Sequence, residues 1–190
     1  MKVLIVALPQ KISKNQFEPL ELAPMAIYLL ASILMKNKHE VSIIDPCEFI
    51  QYEQYIMKKI SSKDIQLIAF SVNSFNWSNT KVIIQRIADN FPDVKIALGG
   101  LHPSIFDKHV LESSDAHIVM RGEGEKIIVN LCNALEYNMT LEGVIGITYK
   151  LNGNVLRNED EIELTVEEME NTPYPAYELL PSSNPYTQLP

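Results

Sequence analysis

Cysteine is scarce. Cys47 and Cys132 are the only two in 190 residues. They form no Cys-x-x-Cys pair and no disulfide framework, and two thiols cannot build an iron–sulfur or zinc site. A reducing cytoplasm is the expected compartment. Glycine is also sparse, 7 against 11 prolines. No apolar run approaches the ~20 residues a membrane span needs. The opening Met1–Ala7 carries one basic residue and a short apolar run, but charged and Pro-containing sequence follows with no small-residue cleavage site. It reads as a buried strand, not a signal peptide. Basic charge is not in excess: the net charge is -8, which speaks against a nucleic-acid partner. Up to residue 158 acids and bases balance at 16 each. The other eight acids (Glu159, Asp160, Glu161, Glu163, Glu167, Glu168, Glu170, Glu178) meet no Lys or Arg. Such a tail reads as a solvated linker.

What remains is an ordinary core-forming composition, 46% hydrophobic and 21% charged, long enough for one domain and an appendage. Short β-branched runs at Val3–Ala7, Val41–Asp45, Leu67–Ser71, Lys95–Leu98 and His117–Met120 predict five strands, apolar on both faces as parallel strands between helices are. Helical periodicity falls near 23–37, 49–61, 78–91, 104–112 and 124–136. Pro24 suits a first helical turn and Pro92 stops the third helix. This alternation predicts an α/β fold, a doubly wound, flavodoxin-like (Rossmann-like) five-stranded parallel sheet over 1–138. A β-hairpin turning at Asn152-Gly153 fills 139–158. An acidic linker occupies 159–190, and its Pro- and Tyr-rich part, Thr172–Pro181, suggests an extended segment that packs on something.

In open α/β sheets ligands bind beyond the carboxyl ends of the strands, at the switch point of strand order. The unusual residues collect there: a long loop from Leu8 to Leu22, then Ser71-Val72-Asn73-Ser74-Phe75-Asn76-Trp77, Gly99-Gly100-Leu101-His102-Pro103-Ser104, and Arg121-Gly122-Glu123-Gly124-Glu125. Each has a plain structural reading as well. Ser71, Asn73 and Ser74 suit a helix cap, the Gly pair a tight turn, and the Glu-rich start a helix dipole. Phosphate-binding Gly-x-Gly-x-x-Gly and Gly-Lys-Ser/Thr motifs are missing. So are a flavodoxin-type Ser/Thr loop after the first strand and the Asp that a phosphoacceptor would place where Ser71 stands. The residues by themselves indicate a site for a large, mostly uncharged ligand held by backbone, hydroxyl and amide groups.

At these loops the chain resembles the N-terminal cobalamin-binding domain of cobalamin-dependent radical S-adenosylmethionine enzymes. The matching pieces are Pro19–Ala31, His39–Asp45, Gly99–Ser104, Val119–Glu125 and the Pro173–Pro181 tail. The resemblance implies a base-off cobalamin across the strand ends, its nucleotide tail dropping between loops. It implies contacts from Pro19, Leu20, Leu22, Ser71, Asn73, Ser74, Phe75, Gly99, Gly100, His102, Pro103, Arg121, Gly122, Glu123, Gly124 and Glu125. Ser71 and Asn73 fall at the tail-binding Ser-x-Leu motif, with Asn in place of Leu. A side chain at Gly100 is then expected to block the tail channel and spare the fold. Two family features are absent. There is no Asp-x-His-x-x-Gly and no His in residues 1–38, so no imidazole from the first loop reaches the cobalt. There is also no Cys-x-x-x-Cys-x-x-Cys, so the 4Fe–4S cluster and S-adenosylmethionine are expected in a downstream radical barrel, with this chain a fragment of a methyltransferase or of a cyclase-like enzyme. A non-catalytic flavodoxin-like module for another nucleotide cofactor or a protein partner is the second reading.

Overall fold

The structure, a computed structural model, describes residues 1–9, 23–46, 52–160, 164–180 and 186, and the backbone alone of Lys11–Ser13 and Gln16–Phe17. The elements run β1 (Lys2–Ala7), β2 (Lys11–Ser13), β3 (Gln16–Phe17), α1 (Met25–Lys36), β4 (Glu40–Ile44), α2 (Tyr52–Lys63), β5 (Leu67–Ser71), α3 (Trp77–Asn90), β6 (Lys95–Gly99), α4 (Leu101–Ile105), α5 (Asp107–Glu112), β7 (Ile118–Met120) and α6 (Gly124–Glu136). After these come β8 (Ile147–Leu151), β9 (Asn154–Arg157) and α7 (Val166–Glu170). One sheet has the order β4-β1-β5-β6-β7-β8-β9. Its first five strands are parallel; β8 and β9 are antiparallel to their neighbours. The parallel order places the switch point between β1 and β5, the flavodoxin-like arrangement.

The sheet therefore has seven strands and not the expected five, although the fold class holds. The hairpin joins the sheet because β7 offers an unpaired edge and Ile147 and Tyr149 are apolar surface that pairing there buries. Its turn is as the sequence indicates, with both Asn152 (φ 50) and Gly153 (φ 80) in the left-handed region. The helix expected over 104–112 starts earlier and breaks in two at Phe106.

Strand alternation sends Val3, Ile5, Leu67, Ala69, Ala97, Ile118 and Met120 to a core shared with α1 and α6. The intervening Leu4, Val6, Ile68, Phe70, Ile96, Leu98 and Val119 pack against α2, α3 and α5. Part of the acidic tail also belongs to the core. Ala176 and Tyr186 are buried with α1. The Ala176 N–H donates to the Tyr28 carbonyl (3.0 Å). The hydroxyls of Tyr28 and Tyr186 both donate to the buried carboxylate of Asp45. Among the described residues, no helix is long and apolar enough to cross a membrane.

Candidate functional site

The two faces of the sheet carry residues of different size toward the carboxyl ends of its central strands. On the α2/α3/α5 side stand Phe70 and Leu98; on the α1/α6 side stand Ala69, Ala97 and Gly99. Helices cannot sink into the space these small residues leave, since α1 and α6 already pack on each other and on the strand middles. A cavity of about 240 Å³ results. Its walls are Ile5 and Ala69 from the sheet, Ala26, Ile27 and Leu30 from α1, Met120 at the end of β7, and the Gly122–Glu125 turn that begins α6.

Several residues expected at the site line this cavity: Ser71, Gly99, Gly100, Gly122, Glu123, Gly124 and Glu125. The glycines differ in what they do. A Cβ on Gly99 would stand 3.4 Å from the Met120 methyl, and one on Gly124 would stand 3.3 Å from Leu30 Cδ2, ordinary to tight contacts with flexible side chains at the cavity. Gly100 has φ +97, and its Cβ would fall 2.5 Å from the Val72 carbonyl oxygen. Glycine there is required by the backbone itself. The expectation that a side chain at Gly100 spares the fold is therefore corrected.

Other expected residues have different partners. Asn73 Oδ1 accepts from the N–H groups of Phe75 (2.9 Å) and Asn76 (3.0 Å), the plain turn-capping role. Ser74 Oγ lies 3.0 Å from His102 Nδ1. The His102 ring packs between Trp77 and Phe106, and burial, followed by the nearby His109, holds its pKa below the usual imidazole value. Pro103 is buried within α4. Arg121 spends its guanidinium on Asp160, Thr148 and two carbonyls. Phe75 is 72% exposed, as is Leu101, and Ile105 and Phe106 in and after α4 are exposed as well. Pro19, Leu20 and Leu22, like Cys47, lie outside the described residues. Cys132 is a buried free thiol whose pKa burial pushes up to about 12, which makes it chemically inert.

The lining also includes residues that sequence reasoning missed: Ile5, Ala26, Ile27, Leu30, Ala69, Phe70 and Met120. The available signal was the size of Ala69, Ala97 and Gly99 compared with their alternate neighbours.

The electrostatics of the cavity are one-sided. Among the described residues it is lined by two carboxylates, Glu123 and Glu125, and by no Lys, Arg or His. Glu123 Oε2 accepts from the Leu164 N–H (3.3 Å). Glu125 Oε2 is buried and has no hydrogen-bond partner among the described residues. A buried acceptor left unpaired costs roughly 1–3 kcal/mol, so a ligand bringing an O–H or N–H donor would recover that cost. No group of three His, Cys, Asp or Glu that could hold a metal ion occurs among the described residues.

A doubly wound sheet with an apolar slot at its switch point defines a cofactor-binding domain. Comparison with known proteins says which kind. The sequence profile of the B12 binding domain matches residues 19–132, and the chain belongs to that family. An uncharacterized methyltransferase of Pyrococcus horikoshii is 29% identical over 185 residues, which are 95% of this chain and 39% of that protein. The anaerobic magnesium-protoporphyrin IX monomethyl ester cyclase of a Synechocystis species is 21% identical over 161 residues, 82% of this chain and 32% of the cyclase. Among solved structures, the cobalamin-dependent S-adenosylmethionine radical enzyme OxsB, with aqua-cobalamin and S-adenosylmethionine bound, superposes with a TM-score of 0.76 at 25% identity. That match covers 92% of this chain and 24% of OxsB. The chain thus spans well under half the length of these three relatives.

Proposed function

We propose that this chain binds cobalamin with the nucleotide tail in the cavity beneath α1 and α6 and the corrin outside it, over the strand ends. The observation that carries this reading is the cavity: about 240 Å³, apolar, and free of cationic side chains among its described lining. A dry cavity of about 150 Å³ holds benzene, so this one has room for a bicyclic heteroaromatic base but not for a corrin macrocycle. Phe75, Leu101 and Ile105, exposed in the loops after β5 and β6, offer apolar surface to a macrocycle outside the cavity. A dianionic phosphate placed inside the cavity would stand near Glu123 and Glu125 and be repelled by them. The residues present therefore fit the cofactor. Ile5, Ala69, Gly99 and Met120 would flank the base, and Glu125 would accept a hydrogen bond from a hydroxyl or amide of the ligand. When bound, cobalamin supplies a cobalt centre for alkyl-group transfer. This chain's residues orient it and exclude water from its tail.

On the same reading the chain is the cobalamin module of a larger radical S-adenosylmethionine enzyme of the methyltransferase or cyclase type. The iron–sulfur cluster and S-adenosylmethionine belong to a further domain reached through residues 159–190. A cytoplasmic location fits the buried free Cys132. Absorbance titration of the chain with hydroxocobalamin, with cobinamide (which lacks the nucleotide tail) and with FMN tests the proposal. Cobalamin is expected to bind more tightly than cobinamide, and FMN not at all. Equal binding of the two corrinoids, or saturable FMN binding, would overturn it.

A further inference from the structure

Arg121 was expected to touch the ligand. Its surroundings give it a different task. Its side chain is only 5% exposed, and all three guanidinium nitrogens donate. Nη1 donates to Thr148 Oγ1 (2.5 Å). Nη2 donates to the carbonyls of Asn158 (2.7 Å) and Glu159 (3.2 Å), and with Nε it grips Asp160 Oδ1 at 2.9 and 3.0 Å. The Thr148 hydroxyl in turn donates to Asp107 Oδ2 (2.6 Å). Arg157 bridges Asp107 (2.7 Å) and Asp160 (2.7 and 3.0 Å). Two arginines and two aspartates thus close a neutral network between α5, the β8–β9 hairpin and the chain after it. A planar five-donor fork suits such a node, and an ammonium cannot reproduce it.

The network ends directly at the cavity. Gly122, the next residue, has φ +77, and a Cβ there would meet nothing within 4 Å, so the outer side of the turn is open. Among the described residues the turn has further ties. The Gly122 N–H donates to Ser104 Oγ (3.1 Å), which itself donates to the Gly100 carbonyl (2.9 Å). Glu123 accepts from the Leu164 N–H. Two of these anchors, the Arg121 fork and the Glu123 contact, lie on the acid-rich segment from Asn158 to Leu164.

We infer that Arg121 is a positioning residue for the cavity. With Asp107, Arg157 and Asp160, it fixes the Gly122–Glu125 wall from behind, so the hairpin and the start of the acidic tail are part of the binding apparatus. For affinity this rests on the cobalamin reading; for the order of the wall it does not.

Two measurements on the full chain separate those cases. The first is amide hydrogen exchange without ligand. In Arg121→Lys, and in the milder Asp160→Asn at the solvent side of the network, the amide of Gly122, which donates to Ser104 Oγ, is expected to exchange at least about tenfold faster, the size of one charge-assisted hydrogen bond. The amides of α2 should not change. The second is the ratio of cobalamin to cobinamide affinity, which is expected to fall by about tenfold in both variants. A control, Ile60→Val in the opposite core, should lower the Tm without moving that ratio. Unchanged exchange at the Gly122 amide in a folded Asp160→Asn protein overturns the inference. So does a ratio that stays constant while the Tm falls. Failure of the unaltered chain to bind cobalamin, with the exchange result intact, removes the cofactor reading and leaves Arg121 as the support of the wall.

Discussion

The two faces of the sheet are built from the same strands and differ mainly in side-chain volume. The face toward α2, α3 and α5 is filled, with Phe70 and Leu98 at the strand ends. The face toward α1 and α6 has Ala69, Ala97 and Gly99 at the same level and encloses a cavity. Close packing is the rule in protein interiors, and lost volume costs stability. A fold that leaves one face open over its switch point gives up contacts there that a ligand can supply. On the proposed reading, the filled face serves the stability of the domain and the open face receives the ligand.

The largest expected effect separates these roles. Leu98→Ala, in the filled core and away from the cavity lining, should destabilise the chain by roughly 2–5 kcal/mol, as large-to-small changes in a filled core do. Any cobalamin bound by the fraction still folded should have its affinity unchanged; denaturant unfolding beside a titration checks both. A loss of affinity as large as the loss of stability would show that the faces are not independent.

Glycine substitution sharpens the contrast on a smaller scale. Gly100→Ala should cost about 1–3 kcal/mol, because φ +97 is strained for any side chain and the Val72 carbonyl stands in the way. Gly99→Ala, one residue earlier and without positive φ, should be close to neutral in thermal unfolding. Equal melting temperatures for the two variants would contradict the backbone role given to Gly100.

Acid should act on the network behind the cavity. Burial pushes Asp107 up, but hydrogen bonds from Thr148, the Lys108 N–H and Arg157, with the Arg157 charge, hold it below its ordinary 3.8. Bonds from Arg121 and Arg157 lower Asp160 likewise. Both groups are charged, folded or unfolded, above about pH 5, so their contribution is complete there. As pH falls below about 4 the unfolded chain takes up protons first, and that stability is lost toward the lower folded pKa values. Urea midpoints at pH 6 and pH 3 should fall further apart in the unaltered chain than in Asp160→Asn.

Much of this was legible in the sequence because β-branched runs, helical periodicity and Asn152-Gly153 are local signals. The glycine and Glu-rich turns at 99–100 and 122–125 could be placed at the strand ends for the same reason. The cavity itself was less legible. Reading strands as apolar on both faces records hydrophobicity and not volume, so the alternation of Ala69 with Phe70 and of Gly99 with Leu98 passed as ordinary core. Arg121 and Asn73 illustrate a second limit. A polar residue beside a site has the same local sequence whether it meets the ligand or a neighbouring turn. The partners of Arg121, Thr148 and Asp160, lie up to 39 residues away, where no local pattern reaches. The hairpin's pairing with β7 was hidden likewise, since edge pairing is decided by tertiary contacts.

Gly99→Leu is the most direct test of the division between the faces. The new side chain enters the space beside Met120, where a Cβ meets only the methionine methyl. Titration with hydroxocobalamin and with cobinamide, on a variant whose thermal unfolding matches the unaltered chain, should show cobalamin affinity reduced about a hundredfold or more, the worth of ~2.7 kcal/mol, and cobinamide affinity little changed. Cobalamin binding that survives Gly99→Leu at full strength would contradict the placement of the cofactor's tail on the open face.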